Sequence, residues 1–207
     1  MRSKQSTIAV FDFDGTISTQ DSLMPFLRFL AGPWQYGAGL LATAPALAGY
    51  GLKLVPNWLA KERVFEQFLG GRSLENLTKI AQHYALESLP ALIRPDALAR
   101  LRWHQQQQHQ VFVVSASLEM YLSAWAEQQG VDCVLGTRLS VEDGMVSGKI
   151  LGSNCYGAEK VQRLSSVLGD LDQYRIYAYG DSKGDRELLA LADFPYYRPF
   201  RNNLMKG

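Results

Sequence analysis

The chain has 207 residues, of which 47% are hydrophobic and 20% are charged, and its formal net charge at pH 7 is +1. These values predict one globular core with room for an inserted subdomain, and they exclude a global electrostatic field that would attract nucleic acid or membranes. Cys133 and Cys155 lie far apart and form no Cys-x-x-Cys pattern, so we expect neither a disulfide framework nor a zinc site, and a cytoplasmic location. Residues 1–7 are polar and do not resemble a signal peptide.

The first predicted strand is a run of β-formers at residues 8–11, and it ends in Asp12, Asp14 and Gly15. Side chains two apart in a strand point the same way, so the two carboxylates leave the strand end on one side. Two carboxylates placed together repel, so each raises the pKa of the other unless a cation lies between them. The pattern indicates a hard metal ion with one carboxylate left for chemistry, and an exposed acidic turn is the alternative.

Residues 21–89 carry almost entirely helical signals, which is too long for an ordinary crossover between strands. We interpret them as a helical cap inserted into a core formed by residues 1–20 and 90–207. Residues 29–52 contain no charged side chain. Because Pro33 and Pro45 interrupt this stretch, it is predicted to form two short apolar helices packed in the cap. An amphipathic, membrane-apposed surface is the alternative, which we do not favour.

Strand-like and helix-like segments alternate through the rest of the chain. Further strands are predicted at 111–114, 131–135 and 175–179, helices at 118–129 and 158–168, and a β-hairpin at 138–150. The alternation predicts an α/β fold with a Rossmann-like parallel sheet and helices on both faces. In such sheets, ligands bind beyond the carboxyl ends of the strands.

Polar side chains recur at those strand ends. Ser115 ends the second predicted strand, where its hydroxyl and nearby N–H groups suit an anionic oxygen, although a serine there is also a common helix cap. Lys160 falls in the first turn of a helix, either exposed or directed at an anion. Asp181 follows the last strong strand as a second metal carboxylate, and Asp185 is placed to orient Lys160 or a metal-bound water.

Together and in this order, these signals resemble the four motifs of the haloacid dehalogenase superfamily. The first motif is matched by Asp-Phe-Asp-Gly-Thr at 12–16, the second by Ser115, the third by Lys160 and the fourth by Gly-Asp-Ser-Lys-Gly-Asp at 180–185. The helical insertion resembles a C1-type cap. The layout is similar to the phosphoserine-phosphatase-like branch, subfamily IB.

The resemblance implies a phosphatase that requires Mg²⁺. Asp12 would attack phosphorus and form an aspartyl-phosphate. Asp14 would protonate the leaving oxygen and then accept a proton from water. The metal would lie between the Asp12 carboxylate, the Asp14 backbone carbonyl and Asp181. Because a halide leaves without a proton, the presence of Asp14 favours phosphoryl transfer over dehalogenation.

The resemblance also implies how the phosphoryl group would be held. Ser115 and Lys160 would bind its oxygens, and the backbone N–H groups of Phe13 and Ala116 are further donors. The implied partner is a small phosphomonoester, without nucleic acid. The oligomeric state is left open.

Substrate identity is less constrained. The second motif has Ala116 and Ser117 where relatives carry two glycines, the fourth has Gly184 in place of Asn, and Asp21 occupies the position of a substrate-recognising Glu. Arg63 in the cap is a candidate for meeting an anionic group. A small phosphorylated metabolite or a lipid head group fits this pattern. The alternatives are a phosphomutase or phosphotransferase, a membrane-apposed phosphatidylglycerophosphate-type phosphatase, and a binding module with a vestigial site.

Overall fold

A five-stranded parallel sheet lies at the centre of the computed structural model, which describes residues 6–201. In chain order the strands are β1 (Ser6–Phe11), β2 (Arg72–Ser73), β3 (Gln110–Leu118), β4 (Cys133–Thr137), β5 (Leu139–Glu142), β6 (Met145–Ile150), β7 (Tyr174–Gly180) and β8 (Phe194–Tyr197). The helices are α1 (Leu23–Gly51), α2 (Asn57–Leu69), α3 (Leu74–Glu87), α4 (Pro95–Gln106), α5 (Glu119–Gln128), α6 (Ala158–Leu168) and α7 (Arg186–Leu191).

The strand order in the large sheet is β4-β3-β1-β7-β8, and every neighbouring pair is parallel. The predicted α/β fold is therefore confirmed. Strands β1, β3 and β7 contain the runs predicted from sequence. Strand β4 begins at Cys133 rather than 131, because Val131 still closes the turn after α5 by donating its N–H to the Ala126 carbonyl. Strand β8 was not anticipated.

Residues 8–11 of β1 are apolar at consecutive positions because side chains on both faces of the strand are buried. Ala9 and Phe11 belong to one hydrophobic cluster, whereas Ile8 and Val10 belong to a second cluster on the opposite face. All four residues are fully buried. A strand covered by helices on both faces needs apolar side chains at consecutive positions rather than at alternate ones.

The predicted hairpin is present as β5 and β6, joined by a two-residue turn at Asp143 and Gly144. Both turn residues have positive φ, at 49° and 76°, as the tight turn between twisted antiparallel strands requires. Strand β2 pairs with β6, so a three-stranded antiparallel sheet joins the hairpin to the segment between β1 and β3.

The uncharged segment lies mainly in α1, which differs from the two short helices expected from its prolines. The backbone breaks once, at Gly32 (φ 73°, ψ 164°), a conformation that glycine adopts without steric cost. Pro33 follows the break, and Pro45 lies inside the continuing helix. Within residues 6–201, no helix is both long and apolar enough to cross a membrane.

Candidate active site

Three parallel strands deliver polar side chains to one edge of the sheet. The register pairs Phe11 of β1 with Val113 of β3 and with Tyr179 of β7. Asp12, Ser115 and Asp181 come one or two residues after these aligned positions. Because the strands are parallel, the three side chains reach the same edge at nearly the same level.

Lys160 lies between two carboxylates at the centre of this edge. Its Nζ donates hydrogen bonds to Asp12 Oδ1 at 2.7 Å and to Asp185 Oδ1 at 2.6 Å. All three residues are buried, and Lys160 is 2% exposed, so the alternative of an exposed lysine is excluded. Burial opposes the charged form, but the two carboxylates hold the pKa of the Lys160 ammonium above its usual value.

Asp12 is short of compensating charge despite this lysine. Burial raises its pKa to about 7, against the lowering effect of Lys160, and the Asp185 charge adds to the rise. Because the pKa of Asp12 is raised, a further cation beside this carboxylate would favour its ionised form.

Asp185 orients Lys160 rather than facing the cavity. Its Oδ2 accepts hydrogen bonds from the backbone N–H of Asp181 at 3.1 Å and from the N–H and hydroxyl of Ser182, both at 2.9 Å. Burial favours its neutral form, but Lys160 and these donors hold the pKa of Asp185 below the ordinary value. Asp185 is therefore a fixed anion whose bonds hold Lys160 in place.

Asp14 has a different environment from Asp12. The backbone N–H of Ser22 donates to its Oδ1 at 2.9 Å, and the Ser117 hydroxyl donates to its Oδ2. Burial raises the pKa of Asp14 to about 6, helped by the charge of Asp21. Neither contact of Asp14 was anticipated: Ser117 lies 103 residues further along the chain, and the loop that returns Ser22 from eight residues away has no recognisable pattern.

Asp181 packs against the loop of the first motif. A Cβ added to Gly15, whose φ is +78°, would lie 2.5 Å from Asp181 Oδ2. The glycine therefore lets the backbone approach this carboxylate. Arg201 pairs with Asp181 Oδ2, and burial raises the pKa of Asp181 against the effect of that arginine.

The carboxylates of Asp12, Asp181 and Asp185 can each place an oxygen within 4.8 Å of the others. Oxygen donors of this kind are what a hard divalent cation prefers. Asp185 already accepts four hydrogen bonds, so Asp12 and Asp181 have the greater free capacity. Their burial and raised pKa values fit a site that gains from a bound cation.

Lys61, on α2, is a residue of the site that the motif analysis missed. Its Nζ donates to the Ala116 carbonyl at 2.9 Å, and burial lowers the pKa of its ammonium. The charges of Asp14 and Asp21 act against this lowering. The available signal was its spacing, since Lys61 shares a helix face with the buried Val64 and Phe65.

A cavity of about 390 Å³ joins most of these groups. Its lining includes the predicted site residues Asp12, Asp14, Asp21, Ser115, Ala116, Lys160 and Asp181, together with Asn57, Lys61, Tyr156 and Arg201. The Phe13 side chain is fully buried, with its ring against Trp125. Arg63 lies elsewhere, paired with Glu66 at 3.0 Å beside a separate depression against α1.

In this arrangement the Asp12 carboxylate lies beside the Lys160 ammonium, and the Asp14 carboxylate accepts from a hydroxyl and a backbone amide. Lys61 is a second lysine in the same cavity. Carboxylates in such different environments can take separate roles as nucleophile and as acid or base. The lysines and Ser115 can bind an anion.

Comparisons with known proteins agree with the fold. A family model described as haloacid dehalogenase-like hydrolase matches residues 9–190. The protein CicA of Caulobacter vibrioides is 38% identical over 196 residues, which cover 94% of this chain and 86% of that protein.

Two further relatives are more distant. Phosphoserine phosphatase SerB1 of Mycobacterium tuberculosis is 25% identical over 189 residues, covering 88% of this chain and 61% of its own length. A protein of unknown function from Bordetella pertussis Tohama I has a structure that superposes with a TM-score of 0.78 at 22% identity, covering 89% of this chain and 86% of that one. This last similarity is evidence for the fold alone.

Proposed function

The chain belongs to the haloacid dehalogenase-like hydrolase family, and we propose that it is a magnesium-dependent phosphomonoesterase that acts through an aspartyl-phosphate intermediate. The observation that carries this proposal is the buried group of Asp12, Lys160 and Asp181, with Asp14 beside it in the same cavity. One of the relatives is named as a phosphoserine phosphatase, which supports hydrolysis of a phosphomonoester as the reaction class.

In the first step, a carboxylate oxygen of Asp12 attacks phosphorus while the bond between phosphorus and the leaving oxygen breaks. Asp14 gives its proton to that oxygen, so the leaving group departs as a neutral alcohol. The pKa of Asp14, raised by burial to about 6, suits a group that must release and regain a proton near neutral pH.

In the second step, a water molecule attacks the aspartyl-phosphate. Asp14, now ionised, accepts a proton from this water, and the bond between phosphorus and Asp12 breaks to release phosphate. Ser117 and Ser22 hold the Asp14 carboxylate through both steps by the hydrogen bonds described above.

Ser115, Lys160 and the backbone N–H groups of Phe13 and Ala116 would hold the phosphoryl oxygens and stabilise charge in the transition state. Lys160 is fixed for this role by Asp185. Asp12, Asp181 and the Asp14 backbone carbonyl would hold Mg²⁺. When bound, the metal would supply positive charge that offsets repulsion between the anionic nucleophile and the anionic phosphate.

The segment 21–89 would act as a cap that covers the cavity and selects the leaving group. Asn57 and Lys61, on α2 within this segment, line the catalytic cavity. Asp21 lines it as well, whereas Arg63 does not. Lys61 therefore replaces Arg63 as the proposed contact between this segment and an anionic substrate.

The proposal is tested by measuring phosphate release from 4-nitrophenyl phosphate, phosphoserine, sugar phosphates and glycerol phosphates, with Mg²⁺ and with excess chelator. We expect turnover that requires Mg²⁺ and is lost in Asp12→Asn. The Asp143→Asn variant, changed in the exposed hairpin turn, is the matched control and should retain activity. Absence of turnover on every phosphoester would overturn the proposal. Transfer of the phosphoryl group to an added alcohol instead of water would indicate the phosphotransferase alternative.

Exposed apolar side chains on and after α1 favour one second candidate, a phosphatase that acts beside a membrane. Trp34, Leu41 and Leu54 are 91%, 78% and 78% exposed, and residues 29–52 carry no charge. Amphipathic helices with such faces bind lipid surfaces. Co-flotation with vesicles of phosphatidylglycerol, reduced in Trp34→Ala, would support this candidate, and failure to co-float would remove it.

A further inference from the structure

A second cavity adjoins the catalytic one. Its volume is about 600 Å³, which lies in the range of small-molecule binding sites. Asn57 and Tyr156 line both cavities. Asn57 begins α2, and Tyr156 lies just before α6, so the two cavities meet where the segment between β1 and β3 approaches the sheet edge.

The side chains of Asn57 and Asn154 separate the two cavities, and the Thr137 hydroxyl holds Asn154 by donating to its Oδ1 at 3.0 Å. Asn154 Nδ2 donates to Asn57 Oδ1 at 3.4 Å, which is long for a hydrogen bond. Lys61 also reaches the Asn154 oxygen only at 3.4 Å. A small movement of the Asn57 amide would break its long bond to Asn154 and open one cavity into the other.

The two cavities differ in charge. The catalytic cavity contains four aspartates, but it also presents three cations, Lys61, Lys160 and Arg201, that can bind an anion. The charged residues of the adjoining cavity are Glu62 and Glu159, both acidic. An anionic phosphate therefore favours the first cavity, and an anionic group would be repelled from the second.

The two carboxylates of the adjoining cavity already have hydrogen-bond or ion-pair partners. Glu62 accepts the Ile150 N–H at 2.9 Å and contacts Lys149 at 3.5 Å, and Glu159 pairs with Arg163 at 2.9 Å. Neither carboxylate requires a cationic ligand. Trp58 and Tyr156, each about half exposed, supply aromatic surface.

We propose that the adjoining cavity receives the leaving group of the substrate, and that this group is uncharged and mainly apolar. The proposal rests on the phosphomonoesterase function proposed above. It assigns the phosphate to the cavity that contains Asp12 and the organic part of the ester to the cavity beside Trp58. Residues of α2 and α6 would then determine specificity without touching the reacting phosphorus.

The test uses primary alkyl monophosphates from methyl to hexyl phosphate, in which the leaving-group chemistry is constant and only apolar length changes. Each buried methylene should raise kcat/KM by up to about fourfold. We therefore expect hexyl phosphate to exceed methyl phosphate by on the order of tenfold or more. Methyl- and hexylphosphonate, which are not hydrolysed, serve as binding probes in calorimetry.

Two variants fill the adjoining cavity from one face of α6. Ala158 and Gln162 both line it and are exposed, so Ala158→Trp and Gln162→Trp should fold. Each should lower the ratio of kcat/KM between hexyl and methyl phosphate and remove the preference for hexylphosphonate. Val167→Trp, on exposed surface of the same helix and outside the linings of both cavities, is the matched control and should leave the ratio unchanged.

The outcomes separate this inference from the proposed function. Turnover with equal kcat/KM for all chain lengths would overturn the inference and leave the phosphatase standing. A hexyl preference that persists in both filled variants would also overturn it, because the chain would then bind elsewhere. Loss of the phosphonate preference in the filled variants, without turnover of any ester, would support the apolar subsite and refute the phosphatase.

Discussion

Replacing Asp185 with asparagine should destabilise the protein strongly, although the two side chains have nearly the same size. The Asp185 carboxylate is fully buried, with one oxygen accepting from Lys160 and the other from Asp181 N–H and Ser182. An amide has only one oxygen. In either orientation its NH₂ group would face a buried donor, either the Lys160 ammonium or the backbone N–H groups.

The expected cost follows from these contacts. A hydrogen bond to a charged group contributes about 1.5–3 kcal/mol, and removing one partner of a buried ion pair costs about 3–5 kcal/mol. In the variant Lys160 would still pair with Asp12 at 2.7 Å. The ammonium would therefore not be left without a partner, and the cost should not exceed the range for a broken ion pair. We therefore expect Asp185→Asn to lower the free energy of unfolding at pH 7 by about 3–5 kcal/mol.

The assay is urea unfolding of the wild type and Asp185→Asn, followed by circular dichroism at pH 7. The exposed Asp143→Asn is the matched control, with an expected change within about 0.5 kcal/mol. A similar denaturant slope would show that the same surface unfolds in both proteins. A loss below about 1 kcal/mol in Asp185→Asn would refute the reasoning that this carboxylate is a required partner of Lys160.

Three further changes give distinct results. Asp14→Asn should slow turnover of alkyl phosphates by roughly a hundredfold to ten-thousandfold, and less for 4-nitrophenyl phosphate, whose leaving group needs little protonation; equal loss for both would contradict the acid role. Lys61→Met should lower kcat/KM by about tenfold to a hundredfold, whereas thermal stability should hardly fall because Thr137 also donates to the Ala116 carbonyl; unchanged kcat/KM would exclude a substrate contact. Burial lowers the pKa of His104 from 6.5 to about 3, so the unfolded chain binds a proton that the folded protein does not. Stability should therefore fall as pH drops below 6.5, by up to about 1.4 kcal/mol per unit. In His104→Gln, the free energy of unfolding measured with urea should decline less steeply between pH 6 and pH 4 than in the wild type. The same pH dependence in both proteins would refute the assignment of this decline to His104.

The central sheet could be predicted because local sequence and tertiary environment agree. Strand β1 is apolar at every buried position, and its end coincides with the acidic motif. The same agreement holds for α6, whose predicted and observed limits are identical at Ala158–Leu168. The two positive-φ residues of the hairpin, Asp143 and Gly144, are likewise a local signal.

The remaining features depend on contacts between distant segments. Lys61 was missed and Arg63 was chosen, because the spacing within the helix places Lys61 on the apolar face but does not show that this face meets the site. Only the packing of Val64 and Phe65 into the core directs Lys61 toward Ala116. Strand β8 was missed because a four-residue edge strand carries a weak pattern.

The adjoining cavity also could not be predicted from the sequence, because it depends on contacts between distant segments. It is enclosed by α2, the end of β6 and the start of α6, which lie far apart in the sequence. No local pattern in these three segments indicates that they face one another. The residues proposed to select the leaving group therefore became visible only in the folded structure.

The most direct test of the account is to locate the phosphoryl group during turnover. The protein would be mixed with 4-nitrophenyl phosphate and Mg²⁺, quenched in acid and digested, and its peptides analysed by mass spectrometry. We predict the mass increment of one phosphoryl group on Asp12, absent in Asp12→Asn. Turnover with the phosphoryl group on another residue, or undiminished phosphate release by Asp12→Asn, would contradict the assignment of Asp12 as the nucleophile.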